Sequence, residues 1–167
     1  MPSYEVLRPA SLLAGLGDDQ LHRLWDAGKR VQTKAGDAVI REGESGTSMF
    51  ILLEGTVEIS QVLVLRMGSS AITEKEKTLI RLEGSMRPCF GEMALLEDAE
   101  RSATVTCVTD CEVFEIDRGP FFKLIEDDPR MGVAILRNMA VVVSSRLRKA
   151  NRDVLKLTTA LSLAVSS

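Results

Sequence analysis

Residues 90–105 read Phe90-Gly91-Glu92-Met93-Ala94-Leu95-Leu96-Glu97-Asp98-Ala99-Glu100-Arg101-Ser102-Ala103-Thr104-Val105. Gly91 permits a positive φ or the close approach of another molecule. The helix formers Glu92 to Leu96 predict one packed helical turn, too short to stand alone. The first amides of such a turn have no intrahelical acceptor and form a seat for an anion. An acidic loop, Glu97 to Glu100, follows. Arg101 then leads into a strand-like run, Ala103 to Val108, and is placed to fold back and offer its planar donors to a phosphate. Ionised Glu92 only accepts, which suits a sugar hydroxyl and repels a phosphate. Spacing alone is weak support, because a carboxylate and an arginine nine residues apart are more often a solvated surface pair.

The flanking chain supplies context. From Lys29 to Glu83 short β-type runs, Arg30–Thr33, Ala38–Arg41, Ser48–Leu53, Thr56–Met67 and Thr78–Leu82, alternate with glycine-bearing turns. Short strands at this spacing predict a barrel or jelly-roll. Gly68 to Lys77 reads as a polar hairpin tip. Thr104–Val108 and Glu112–Ile116 are expected to pair around Thr109-Asp110 and finish the sheet. At the N-terminus, Leu12 to Leu16 is a short apolar lead. Asp18 reads as an N-cap, Leu21, Leu24 and Trp25 as a buried stripe, and Gly28 as the stop. His22, the single histidine, falls on the opposite face as a surface side chain.

Phe90-Gly91-Glu92-Met93-Ala94-Leu95, followed by Arg101-Ser102-Ala103, resembles the phosphate-binding cassette of cyclic-nucleotide-binding domains, which include the bacterial catabolite activator and the regulatory subunit of cAMP-dependent protein kinase. Glu100-Arg101-Ser102-Ala103 looks like the activator's version; the kinase version usually has Pro where Glu100 stands. Lys34-Ala35-Gly36-Asp37, Glu42-Gly43, Met49-Phe50-Ile51 and Glu54-Gly55-Thr56-Val57 resemble the family's β-roll. Gly84 to Cys89 is longer than the family's common form. The resemblance implies a cyclic nucleotide as ligand, with Arg101 and Ser102 on the phosphate, Glu92 on the ribose 2′-hydroxyl, and Gly91, Met93, Ala94 and Ala103 shaping the pocket. Ser102 follows the activator's choice and favours cAMP, although its hydroxyl can also serve guanine.

The remainder is helical. Pro120 starts a short helix with Phe121, Phe122, Leu124 and Ile125 as its apolar side. Asp128-Pro129 is an N-cap followed by Pro at the first helical position. Leu136, Ala140, Val143, Leu147, Ala150, Val154, Leu157, Leu161 and Ala164 then form a heptad seam unbroken by Gly or Pro. A helix from Pro129 to about Val165 runs roughly 55 Å at 1.5 Å per residue, longer than a small domain. It must bend back near Asn151-Arg152-Asp153 or meet another chain, and a parallel homodimer is favoured because an exposed apolar seam needs a partner. In the family this helix closes over the base, and Ser144 to Leu147 is the neighbourhood expected to do so here.

Composition narrows the class. The 167 residues, 45% hydrophobic and 27% charged, are those of an ordinary globular chain, and a net charge of −3 opposes a broad nucleic-acid footprint. The densest apolar run, Met131 to Val143, contains Arg137 and Asn138, so no membrane span is expected and a cytoplasmic location is. Cys89, Cys107 and Cys111 have no metal-ligand or redox spacing. Cys107 and Cys111 read as buried apolar residues, and Cys89 as the accessible one. One histidine does not furnish a cupin-type metal site, and there is no nucleophile elbow or Walker loop.

The sequence therefore predicts a mainly β protein with flanking helices: a β-roll cyclic-nucleotide-binding domain over residues 1–128, and a C-terminal helix over 129–167 that serves as lid and dimerisation element. The expected function is non-enzymatic sensing of cAMP or cGMP with no catalytic cofactor, signalled through that helix to a downstream effector protein. No helix-turn-helix fits in Leu155 to Ser167, so the chain is expected to be a stand-alone sensor or one separated from its output domain. The alternative is a dimerisation scaffold of the same fold that binds no nucleotide.

Overall fold

Met49-Phe50-Ile51-Leu52-Leu53 has no polar residue to turn towards water, and the strand that it forms is covered on both faces. In the computed structural model, which describes residues 3–67, 71–97 and 99–165 (backbone alone for 63–67 and 71–76), this strand is β3, Ser48–Glu54. Phe50 and Leu52 lie in the core between two sheets, whereas Met49, Ile51 and Leu53 join the core beneath the helices.

The first sheet has the order β1 (Lys29–Thr33), β8 (Cys111–Asp117), β3 and β6 (Cys89–Phe90). The second has the order β2 (Ala38–Ile40), β7 (Thr104–Cys107), β4 (Thr56–Met67) and β5 (Ala71–Glu83). All pairings are antiparallel. Helices α1 (Asp18–Ala27), α2 (Glu92–Leu96), α3 (Arg118–Asp127) and α4 (Pro129–Val165) complete the fold, with short 3₁₀ turns at Tyr4–Leu7, Ser11–Leu13 and Gly84–Met86. The β-roll with flanking helices and a long C-terminal helix is thus the architecture observed.

Four local expectations need correction. Thr104–Val108 and Glu112–Ile116 do not pair with each other: β7 joins β4 and β2, while β8 joins β1 and β3. Thr56 O accepts both Val108 N–H and Thr109 N–H, and the Asp110 carboxylate accepts Lys34 Nζ and Ala35 N–H, so the chain is held as it crosses between sheets. Val105 and Cys107 then meet Cys111 and Val113 in the core between the sheets. Secondly, Ala71 to Lys77 is strand, because backbone pairing with the strand-forming run of β4 overrides its polar composition; Gly68 to Ser70 of the expected hairpin tip, and Asp98 of the acidic loop, lie outside the described residues. Thirdly, Gly17 is the N-cap of α1, its N–H donating to Gln20 Oε1 at 3.1 Å, and Asp18 occupies the first turn. Fourthly, α3 begins at Arg118, so Pro120 lies within its first turn and does not start it. Of the two alternatives for the long helix, the bend is not taken: α4 is continuous through Asn151-Arg152-Asp153.

The start of α4 is anchored as the Asp128-Pro129 pair predicts. Asp128 Oδ1 accepts Met131 N–H at 3.0 Å, and Oδ2 accepts Gln20 Nε2 at 2.8 Å and Arg23 Nη1 at 3.5 Å. The cap therefore also fastens α1. Met131, Ile135 and Met139 are fully buried with Leu12, Leu13 and Phe121, each such side chain contributing about 1.5–3 kcal/mol of transfer free energy. Further on, the heptad seam faces water: Leu147 is 59% exposed, Val154 62% and Leu161 65%.

Candidate functional site

The backbone leaves β6 at Gly91 with φ 78° and ψ 9°, a conformation that L side chains rarely adopt. A β-carbon at Gly91 would stand 2.9 Å from Arg101 Nη1. The bend launches α2, which buries Ala94 and Leu95 and leaves Met93 exposed. No side chain caps α2, so its leading amides have no acceptor within the helix or from a capping side chain.

Arg101 is 8% exposed and held from several sides. Its N–H donates to Glu44 O and its carbonyl accepts Gly43 N–H, both at 2.9 Å. Nη1 donates to Ser48 O at 2.8 Å and to Gly91 O at 3.2 Å, and Nη2 to Ser48 Oγ at 3.2 Å. The guanidinium lies over the Phe50 ring, 5.8 Å from its centre. Gly46 is tight against it, since a β-carbon there would sit 2.7 Å from Nε. Burial lowers the Arg101 pKa, opposed by the Glu115 carboxylate, but a guanidinium stays cationic. The result is a fixed positive charge at the mouth of the cassette.

Glu92 is 5% exposed, and its Oε1 accepts Arg146 Nη1 of α4 at 2.6 Å. Arg146 Nη2 also donates to Cys89 O. Ser102 is exposed, its Oγ 3.7 Å from Met93 Sδ, and its carbonyl accepts Gln61 Nε2 of β4 at 2.6 Å. Ala103 is half-buried beside it. Contrary to expectation, Cys89 is buried: it pairs with Ile51 in the sheet, packs under the helices, and has its thiol pushed up to about 11 by that burial.

These groups border one cavity of about 680 Å³, within the usual range for small-molecule sites. All seven sequence-predicted residues, Gly91, Glu92, Met93, Ala94, Arg101, Ser102 and Ala103, line it. So does Arg146, the one member of the Ser144–Leu147 neighbourhood that reaches the wall. The α4 side of the cavity continues to Leu157, further than that neighbourhood. Chemically, the arrangement offers a fixed cation and an uncapped helix start beside a buried carboxylate, a fit for an anion carrying a neighbouring hydroxyl. Among the described residues no cluster of His, Cys, Asp and Glu is placed to hold a metal ion, and no helix is long and apolar enough to cross a membrane.

Sequence reasoning did not assign Arg146 to Glu92. Its signal was present: Ile135, Met139, Val142 and Arg146 follow a 4-3-4 spacing, so the buried stripe of α4 ends in a cation.

The family model described as "Cyclic nucleotide-binding domain" matches residues 30–128, more than half the chain. The CRP-like cAMP-activated global transcriptional regulator of Mycobacterium tuberculosis is 26% identical over 153 residues, covering 92% of this chain and 62% of that protein. Human cGMP-dependent protein kinase 2 is 36% identical over 116 residues, covering 69% of this chain and 14% of the kinase. The chain thus spans less than two thirds of the length of these curated relatives. Among solved structures, Thermus thermophilus catabolite activator protein superposes with a TM-score of 0.73 at 26% identity, covering 89% of this chain and 63% of that one. With the β-roll, the cassette and these matches in agreement, the chain belongs to the cyclic nucleotide-binding domain family, a family of regulatory binding modules.

Proposed function

We propose that this chain binds a cyclic nucleotide, cAMP in preference to cGMP, in the 680 Å³ cavity and transmits occupancy through α4. Arg101 pairs with the phosphate, helped by Ser102 and the amides at the start of α2. Glu92 accepts the ribose 2′-hydroxyl, and the backbone at Met93 and Ala94 closes the pocket floor. Residues 1–128 act as the sensor and 129–167 as lid and dimerisation element, without catalysis or a catalytic cofactor. The observation that carries this reading is the Glu92–Arg146 pair, since the proposed ribose acceptor is already in the grip of the helix that must respond. A ribose hydroxyl arriving at Glu92 alters that grip, and the helix position shifts with occupancy. The cAMP-activated relative supports the choice of nucleotide, and the exposed seam from Leu136 to Leu161 supports a parallel homodimer in the cytoplasm that presents α4 to an effector protein.

Calorimetric titration with cAMP and then cGMP tests the reading. Arg101→Ala removes a charge-assisted contact of about 1.5–3 kcal/mol, equivalent to a loss of about tenfold to over a hundredfold in affinity. Parental affinity in that variant refutes the assignment. A second reading, a scaffold of the same fold, draws on Glu92 and Arg101 both having internal partners. A folded protein that binds neither nucleotide selects it.

A further inference from the structure

We infer that Arg87 is a positioning residue that couples the docking of the N-terminal segment to the conformation of the cassette. Its consequence for affinity rests on the nucleotide-binding reading above; the coupling itself does not. Arg87 is, among the described residues, the one non-glycine with positive φ (46°, ψ 49°). A β-carbon in that region is strained, and surrounding contacts must hold it there. The contacts are three carbonyls from three parts of the chain. Nε donates to Val6 O at 3.1 Å in the first 3₁₀ turn, and Nη1 donates to Leu53 O at the end of β3 and to Gly84 O in its own turn.

The residues after Arg87 carry this anchorage into the site. Pro88 O accepts Leu52 N–H at 3.0 Å, Cys89 O accepts Arg146, and Gly91 O accepts Arg101 at 3.2 Å. Five consecutive residues, 87–91, therefore tie together the N-terminal turn, β3, α4 and the phosphate-side arginine. The N-terminal segment is not a loose end in this arrangement. Leu7 is fully buried, and Asn138 Nδ2 of α4 donates to Leu12 O at 3.0 Å and Ala14 O at 2.8 Å. The segment thus reaches, through Arg87, the residues that lead into the cassette, and through Asn138 the lid. A guanidinium is suited to this work because its fork of donors reaches several carbonyls at once, which an ammonium on a flexible stem does not.

The test uses the whole chain and Arg87→Gly, which fits the left-handed backbone without strain and removes the guanidinium, with Arg87→Lys as the charge-retaining variant. Amide hydrogen exchange is followed by mass spectrometry without nucleotide. The expected result is faster exchange both in peptides covering residues 3–8 and in those covering 92–96, with thermal unfolding still cooperative, and only partial recovery in Arg87→Lys. Binding of fluorescent cAMP is expected to weaken several-fold in Arg87→Gly. Exchange that rises only around residues 84–88, with 92–96 unchanged, overturns the coupling. A parent protein that binds no cyclic nucleotide sinks the functional reading instead, and the exchange comparison still decides Arg87.

Discussion

Replacing Arg146 with alanine removes the cation from a Glu92 carboxylate whose side chain is 6% exposed, and at the same time frees the Cys89 carbonyl. Breaking a fully buried ion pair from one side costs about 3–5 kcal/mol, because the remaining charge is left uncompensated. Arg146 itself is 39% exposed, so water can reach part of the vacated space and the cost is reduced to about 1–3 kcal/mol. In a domain of this size each kcal/mol lowers the midpoint by about 2–4 °C, giving an expected fall of roughly 2–12 °C by differential scanning fluorimetry. The companion variant Glu92→Gln and the double variant close a thermodynamic cycle. If the pair is the source, Arg146→Ala costs less in the Glu92→Gln background, since no charge is then stranded. A fall of under 1 °C, or strictly additive effects in the cycle, refutes the reasoning that Glu92 depends on α4, and with it the proposed route from ribose to helix.

Three further outcomes are expected. Leu147→Asp with Leu157→Asp places charges in the exposed seam; sedimentation should shift from dimer to monomer with little change in the unfolding of the β-roll, and a parent that sediments as a monomer removes the dimer proposal. The Asp128 carboxyl is held below its ordinary value, first by Gln20 and then by Met131 N–H, so its contribution to stability is present above the unfolded pKa and lost as pH falls through the lower folded one. Asp128→Asn should therefore flatten the acid limb of a pH–stability curve measured by urea titration, and an unchanged limb contradicts that link. With its thiol pushed up to about 11 by burial, Cys89 at pH 8 is thiolate in on the order of one molecule in a thousand, so Ellman's reagent should label it far more slowly in the native protein than in the urea-unfolded chain; equal rates would show that the fold does not guard it.

Much of the fold was legible because the patterns that specify it are local. Glycine-punctuated strand runs, the Asp128-Pro129 cap and the helix formers after Gly91 each act within a few residues, and each appears where the sequence places it. The seven cassette residues were legible for the same reason: one turn and the strand start that follows bring them to one cavity wall. Where the reading failed, partners distant in sequence decided. Thr104–Val108 and Glu112–Ile116 look like a hairpin, yet hydrogen bonds from Thr56 and Asp110 send them to different sheets. Ala71 to Lys77 looks like a loop until β4 supplies its ladder.

Sequence alone determined the β-roll, the cassette, the continuous apolar seam and the family resemblance, because turn chemistry and hydrophobic period are properties of neighbouring residues. Tertiary structure decided which side chains hold the site. Arg146 meets Glu92 across 54 residues, Arg101 reaches Ser48 across 53, and Arg87 reaches Val6 across 81. Such pairs form only when packing of the core has fixed the elements that carry them; the spacing of α4 marks the face on which Arg146 lies but not the partner that it meets.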